Sequence, residues 1–222
     1  TGDEIYLDKL YENILYSDSI MLDQETGFYY RDGRYVYPRH QTNSGKKDFW
    51  ARGDGWVLAG LAKVLQDMPR SYRHHRFFAD KFVRLSRAVA ALQQKEGYWT
   101  PAQAEGPETS GTAFFTYGLL WGMNNGYLSA KEFAPVVKRS WKYLTGTALQ
   151  SDGKVGYVQP IGDKAIPGQQ LDANSQANFG VGAFLLAACE YARYQGFDKA
   201  KKPRKRTAGN GWFVSAGAGI GG

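Results

Sequence analysis

Gly53 to Leu61 (GDGWVLAGL), Ser110 to Leu119 (SGTAFFTYGL) and Asn178 to Leu185 (NFGVGAFL) are three stretches of one kind, rich in small residues and apolar on most sides. Helices that are apolar nearly all round are buried, and Gly or Ala on them allows neighbouring helices to approach closely. More amphipathic, charged segments lie between them, at residues 73–95 and 130–144. The alternation predicts buried inner helices and amphipathic outer helices, arranged as a toroid of helical hairpins.

Helical spacing of apolar residues extends over most of the chain, in blocks that are separated by Gly, Pro, Asn and Asp. The predicted helices lie at about residues 3–20, 54–67, 73–95, 109–124, 130–145 and 173–195. Strand patterning is thin, and the best candidates for short extended pieces are residues 27–30 and 154–158. The predicted fold class is therefore all-α.

The composition is typical of an ordered globular protein: 222 residues, of which 43% are hydrophobic and 15% aromatic. The single cysteine, Cys189, excludes an intrachain disulfide framework and a Cys-rich metal site, and its apolar neighbours predict that it is buried. No apolar run approaches the roughly 20 residues of a membrane-spanning helix, and we expect no membrane partner. The chain opens without a signal-peptide pattern but begins at Thr1 rather than Met, so both cytoplasm and periplasm stay open.

The net charge of +7 is concentrated near the C-terminus. Six of the 28 basic residues lie between Lys199 and Arg206, and without them 22 basic residues face 21 acidic ones. Such a run can bind nucleic acid, which gives one alternative function, but short terminal runs are more often solvated. We therefore predict a folded domain over residues 1–197 and a basic, then Gly/Ala-rich, tail over residues 198–222 that is disordered or does not belong to that domain.

Three long loops precede the predicted inner helices, at residues 22–49, 97–108 and 147–171. They should gather on one face of the toroid together with the helix N-termini, whose unpaired N–H groups suit a carboxylate ligand. Several aromatic and polar side chains on these loops are candidates for the rim of a site. They are Tyr29, Tyr30, Arg31, Arg34, Trp99, Tyr157 and Gln159.

The densest grouping of binding chemistry is the stretch from Phe49 to Trp56, which reads FWARGDGW. Aromatic faces such as those of Trp50 and Trp56 stack on sugar rings, and a guanidinium such as that of Arg52 binds a carboxylate with two parallel hydrogen bonds. The stretch is therefore a candidate pocket for a ring-shaped anion. In the alternative interpretation both Trp side chains are core anchors, and Arg52 pairs with Asp54.

Other candidate chemistry is weaker. Glu108 and Asp172 open two predicted helices, where helix capping explains them more economically than an acid and base pair would. His40, His74 and His75 do not form a metal-ligand pattern with carboxylates, and His40 is predicted to be solvated. We expect neither a metal nor a cofactor.

The FWARGDGW stretch, followed by Gly60-Leu61 and Met68-Pro69, resembles the unsaturated glucuronyl and rhamnogalacturonyl hydrolases of glycoside hydrolase families 88 and 105. Residues 108–113 (ETSGTA), 126–128 (GYL) and 27–32 (GFYYRD) are similar to family 105 in particular. The resemblance spans about residues 1–197. It implies an (α/α)6 barrel that removes a 4,5-unsaturated uronic acid from the end of an oligosaccharide.

The resemblance also implies a mechanism and a set of site residues. In this family an Asp protonates the C4=C5 enol ether, water adds at C5, and the hemiketal opens with loss of the aglycone. Trp50 and Trp56 would stack on sugar, and Arg52 would hold a polar group of the uronate. Tyr30 and Arg31 would also contact substrate, although many members of the family carry His where Arg31 stands.

Three further features depart from the family. The general-acid Asp belongs to an inner-helix motif that the resemblance places before residue 1, and Asp54 stands where relatives often carry Asn or Gln. A full barrel needs about twelve helices, whereas six or seven are predicted here. The chain is therefore expected to be the C-terminal portion of an incomplete barrel, with inner helices exposed unless a partner segment covers them. The alternative is a noncatalytic carbohydrate-binding or scaffolding α-toroid.

Overall fold

The computed structural model describes residues 3–101, 106–162 and 169–197. Within these ranges the chain forms six α-helices and one π-helical turn, and no strand. The α-helices are α1 (Ile5–Met21), α2 (Ala51–Asp67), α3 (His75–Ala91), α4 (Thr109–Asn124), α5 (Ala130–Tyr143) and α6 (Asn178–Tyr194), and the π-helical turn is Leu144–Ala148. The all-α prediction is confirmed. The predicted tail, residues 198–222, lies outside the described ranges.

Helix α4 is the centre of the structure. It packs against α2 on one side and α6 on the other, and α3 and α5 also contact it. All its residues from Thr109 to Gly122 are buried, which follows from a sequence without a charged side chain. The predicted alternation of inner helices (α2, α4, α6) with more amphipathic helices along the chain is thus present.

Small residues set the distance between the two inner helices α2 and α4. A Cβ atom built on Gly55 would lie 2.9 Å from Cβ of Phe114, and one built on Gly118 would lie 2.7 Å from the Leu58 side chain. Real Cβ atoms do not come so close to other heavy atoms. The two glycines therefore permit an approach that larger residues would prevent.

The starts of two predicted helices were wrong. Helix α2 begins at Ala51, three residues earlier than predicted, because the N–H of Asp54 already donates to the Trp50 carbonyl at 3.0 Å. Helix α6 begins at Asn178 rather than at about 173, because the Asp172 carboxylate accepts from the N–H groups of Asn174 and Ser175 and forms a separate turn. Asp172 is therefore not a helix cap. The predicted extended pieces form only isolated bridges, Leu22 with Tyr29 and Leu149 with Val155.

Apolar side chains are exposed on α6 and on α1. Helix α6 has a single inner neighbour, α4, and on its open side Leu185 is 56% exposed. Cys189 is also exposed, so the prediction that it is buried was wrong. Helix α1 has no fully buried residue, and its Ile5 and Tyr16 are exposed. No helix in the described part of the chain is long and apolar enough to cross a membrane.

Glu108 caps α4, as the sequence predicts. Its carboxylate accepts from the N–H groups of Ser110 at 3.1 Å and Gly111 at 2.6 Å, and also from the N–H of Gln159 at 3.0 Å. The carboxylate is fully buried, and the Arg52 guanidinium lies 4.0 Å away. Helix capping and charge compensation are therefore combined in one side chain.

We predict that Gly55→Ala lowers the free energy of unfolding by about 1–3 kcal/mol, because the new methyl group meets Phe114. The higher helix propensity of Ala offsets up to about 1 kcal/mol of this loss. Gly60→Ala is the matched control on the same helix, since nothing lies within 4 Å of its added Cβ. This control should leave the free energy of unfolding unchanged or raise it by about 0.5–1 kcal/mol. Urea denaturation of both variants measures the difference, and equal effects would contradict the close approach.

A second prediction concerns Glu108→Ala, which removes the cap of α4 and leaves Arg52 buried without a carboxylate. The expected loss in the free energy of unfolding is about 3–5 kcal/mol. The control is Glu132→Ala in the first turn of α5, because Glu132 forms an exposed pair with Arg87 at 3.1 Å. Chemical denaturation should show a change of less than about 1 kcal/mol for the control. A comparably small loss for Glu108→Ala would refute the structural role of this carboxylate.

Candidate functional site

The loops before the three inner helices meet at the helix N-termini, as the sequence predicts. The indole N–H of Trp50, at the start of α2, donates to the Gln159 side chain at 2.9 Å. Gln159 bonds through its own N–H to Glu108, at the start of α4, and the N–H of Thr109 donates to the Tyr157 carbonyl at 2.8 Å. Residues that are far apart in the sequence thus come together in one place, which is the candidate site.

Trp50 lies at the centre of the candidate site. The guanidinium carbon of Arg52 lies 4.7 Å from the centroid of its ring, and that of Arg31 lies 5.4 Å from the same centroid. Cations over an indole face are attracted by the negative charge of its π system. The half-buried indole therefore brings two positive charges together at the loop face of the molecule.

Arg52 is a buried member of this group and is 4% exposed. Its Nη1 donates to the Gln159 carbonyl at 2.5 Å, and its Nη2 donates to the Pro160 carbonyl at 3.2 Å. Burial lowers the pKa of the guanidinium, and the nearby Glu108 carboxylate opposes that shift. The alternative interpretation, in which Arg52 pairs with Asp54, was wrong because the carboxylate near Arg52 is that of Glu108.

Arg31 is more accessible than Arg52. Its Nη2 donates to the Gly162 carbonyl at 2.8 Å, and its guanidinium also lies over the Tyr35 ring. Within the described ranges Arg31 forms no ion pair, whereas Arg34 nearby pairs with Asp32 at 2.9 Å. Hydrogen bonds from Arg34 lower the pKa of Asp32 to about 2. Among the described residues Arg31 is therefore a cation at this face that is not held in an ion pair.

Trp56 and Tyr30 differ in accessibility. Trp56 is 51% exposed, with its ring tilted against Phe114 at a centroid distance of 4.2 Å, so it is not a core anchor. Tyr30 is 6% exposed and stacks on Phe49 at 5.0 Å. Trp56 can therefore present an aromatic face to a ligand. The Tyr30 ring is instead buried against Phe49 and stabilises the loop that precedes α2.

Other rim candidates have structural contacts. Trp99 is buried, and its indole N–H donates to the Val89 carbonyl at 2.9 Å. Tyr157 has a positive φ of 59°, which places its carbonyl on the first turn of α4. His40 is half-buried and bonds to the Asp48 carboxylate at 2.7 Å, so the prediction that it is solvated was wrong. No group of three or more metal-ligating side chains occurs among the residues whose placement is described.

Sequence reasoning missed two links of the site. The first is the proximity of Arg52 to Glu108, and the second is the hydrogen bond from the Tyr29 N–H to the Asp54 carboxylate at 2.8 Å. Each link joins segments that are separated by loops of irregular structure. The only sequence signal for either link is the position of the carboxylate in the first turn of a helix or at its cap.

Comparison with known proteins gives three informative similarities. Unsaturated 3S-rhamnoglycuronyl hydrolase of Formosa agariphila is 36% identical over 204 residues, which cover 88% of this chain and 53% of that protein. A solved glycosyl hydrolase of family 88 from Bacteroides vulgatus is 55% identical with a TM-score of 0.85, over 87% of this chain and 57% of that one. A solved protein described as a polysaccharide lyase is 63% identical with a TM-score of 0.85, over 88% of this chain and 57% of that one.

The chain therefore spans about half the length of the curated relative. Its structural neighbours are (α/α)6 barrel enzymes of families 88 and 105, which confirms the barrel-type fold class. The model of the family described as Glycosyl Hydrolase Family 88 matches residues 1–195. This protein belongs to glycosyl hydrolase family 88.

Proposed function

We propose that the whole protein hydrolyses oligosaccharides that end in a 4,5-unsaturated uronic acid and releases that sugar. The observation that carries the proposal is the indole of Trp50 with the guanidiniums of Arg31 and Arg52 close to its ring, where the loops before the inner helices meet. Aromatic faces and positive charge together are the chemistry that a uronate ring requires. Family membership and the hydrolase relative from Formosa agariphila support the same reaction.

We assign separate roles to the five site residues. Trp50 and Trp56 offer aromatic faces to the sugar rings, and Arg31 offers a charge to the carboxylate or to another anionic group of the substrate. The donors of Arg52 are bonded to two carbonyls, so its contribution is to hold the loop at Gln159 and Pro160 and to add positive potential. Tyr30 supports the segment that carries Arg31.

The proton donor is proposed to come from the part of the barrel that this chain does not span. Both carboxyls at the starts of α2 and α4 are unsuited to the task. Glu108 is bonded to three N–H groups, and Asp54 is buried and bonded to the N–H of Tyr29. A donor must reach C4 of the sugar, so an Asp on another inner helix facing Trp50 fits the proposed hydration of the enol ether.

The partner of this chain is then the rest of an (α/α)6 barrel. We expect further helices of a closed ring to pack on the open side of α6 and on α1, because both helices have exposed apolar residues. We expect the basic segment 198–222 to remain outside the barrel, and the family match, which ends at residue 195, supports this boundary.

A second candidate reaction is β-elimination by a polysaccharide lyase, because one solved protein with 63% identity is described as such an enzyme. The two reactions change the same chromophore in opposite directions. A lyase creates a C4=C5 double bond in a uronate, whereas the proposed hydrolase removes one.

The reaction is tested by following the ultraviolet absorbance of the C4=C5 double bond. The chain is incubated alone and together with the part of the Bacteroides vulgatus relative that it does not cover. We expect absorbance to fall with unsaturated disaccharides only when both parts are present. A rise with intact uronate polysaccharide would establish the lyase, and no change in either direction would refute both reactions.

The role of Arg31 is tested by Arg31→Ala in the same complemented enzyme. Loss of a charge-assisted contact of about 1.5–3 kcal/mol should raise KM for the unsaturated disaccharide about tenfold to a hundredfold. Arg34→Ala is the matched control, because Arg34 is three residues away and paired with Asp32. Its KM should stay within about twofold of the wild type, as for a surface pair. Equal KM values for the two variants would remove Arg31 from the site.

A further inference from the structure

Asp54 lies on the far side of α2 from the candidate site. It is two residues from both Arg52 and Trp56, which corresponds to a rotation of roughly 200° around the helix axis. The side chain is 1% exposed. Its Oδ1 accepts a hydrogen bond from the N–H of Tyr29 at 2.8 Å, across 25 positions of sequence. Its own N–H donates to the Trp50 carbonyl at 3.0 Å.

These two bonds connect the backbones of both parts of the site. Tyr29 is two residues before Arg31, and Trp50 is the residue over which the Arg31 guanidinium lies. The Tyr29 segment is also held at its other side, because the Tyr29 hydroxyl donates to Asp18 at 2.6 Å and the Tyr30 N–H donates to the Met21 carbonyl at 2.9 Å. Asp54 therefore joins the Tyr29 segment directly to the first turn of α2.

The second oxygen of Asp54, Oδ2, is buried and has no hydrogen-bond partner. The residue borders a cavity of about 180 Å³ whose aromatic lining includes Phe28, Phe49, Trp99 and Phe115. The charged groups on the same cavity are Lys47 and Asp48. They are bonded elsewhere, Lys47 to Asp23 at 2.7 Å and Asp48 to His40 at 2.7 Å. No cation therefore compensates a negative charge on Asp54 among the described residues.

We propose that Asp54 is a positioning residue of the site, which acts as an uncharged carboxylic acid and holds the Tyr29 to Arg31 segment so that Arg31 lies over Trp50. The neutral form follows from the geometry, because an ionised carboxylate with one unpartnered oxygen in an aromatic cavity lacks compensation. Burial raises the pKa of Asp54 well above its ordinary value, and the bond from the Tyr29 N–H opposes this only in part. The effect of Asp54 on substrate binding rests on the proposed function, whereas its effect on the Tyr29 to Arg31 segment does not.

The structural part is tested on the full 222-residue chain by amide hydrogen exchange at Tyr29. Asp54→Asn keeps an acceptor oxygen in a neutral group, so exchange should stay within about twofold of the wild type. Asp54→Ala removes the acceptor, and exchange should become about tenfold faster, as for the loss of a bond of about 1.4 kcal/mol. The control is Asp67→Ala at the exposed end of α2, which should change nothing at Tyr29. Unchanged exchange in Asp54→Ala would overturn the proposal.

Protonation is tested by comparing stability with pH. Because the folded-state pKa lies above the unfolded value of about 4, the wild type and Asp54→Asn should be alike below pH 4. The wild type should then lose stability relative to Asp54→Asn as pH rises from 4 toward the raised pKa. Thermal midpoints measured across this range show the divergence. A constant difference between the two proteins, or higher stability of the wild type at neutral pH, would show that Asp54 is ionised.

The positioning role is tested by kinetics in the complemented enzyme. Asp54→Ala should raise KM for an unsaturated disaccharide about tenfold while kcat changes less than about twofold, and Asp54→Asn should restore the wild-type KM. Failure of Asn to rescue would overturn the proposal. If the wild-type complemented enzyme itself is inactive, the proposed function fails, and hydrogen exchange at Tyr29 still decides the role of Asp54.

Discussion

The close approach of α2 and α4 is the constraint on which the rest of the structure depends. Gly55 and Gly118 remove the side chains that would hold the helices apart, and α4 is consequently buried along its first 14 residues, from Thr109 to Gly122. Because α4 has no polar face toward water, its N-terminal N–H groups need partners from the protein itself. Glu108 supplies them, and the position of Arg52 follows from that buried carboxylate.

Charge and polarity at the helix N-termini are therefore distributed between two layers. In the lower layer Glu108, Arg52 and Gln159 compensate one another and fix the loop before α6. In the upper layer lie the proposed ligand-contacting residues Trp50, Trp56 and Arg31, which are more accessible to solvent. The outer layer is positioned by the inner one, because Trp50 bonds to Gln159 and lies against Arg52. A mutation of an inner residue would thus shift the proposed ligand-contacting residues without itself lying at the surface.

Much of the fold could be predicted from the sequence, because the inner helices carry a signal that depends on local composition. Small and apolar residues at 53–61, 110–119 and 178–185 indicate buried helices whatever their neighbours are. The site was less predictable. The sequence placed Trp50, Arg52 and Asp54 close together, but because the helix was predicted to begin at Asp54, it did not show that Arg52 and Asp54 lie on opposite sides of α2. Their partners, Glu108 and Tyr29, come from loops whose paths depend on tertiary contacts.

The open side of α6 has a practical consequence. Cys189 is the only thiol in the chain, and it lies on that side in contact with solvent. A thiol-reactive dye would therefore attach at one defined position without any engineered cysteine. Its emission and its rate of attachment would both depend on whether another helix covers α6. The chain thus contains its own reporter for any further helix that packs against α6.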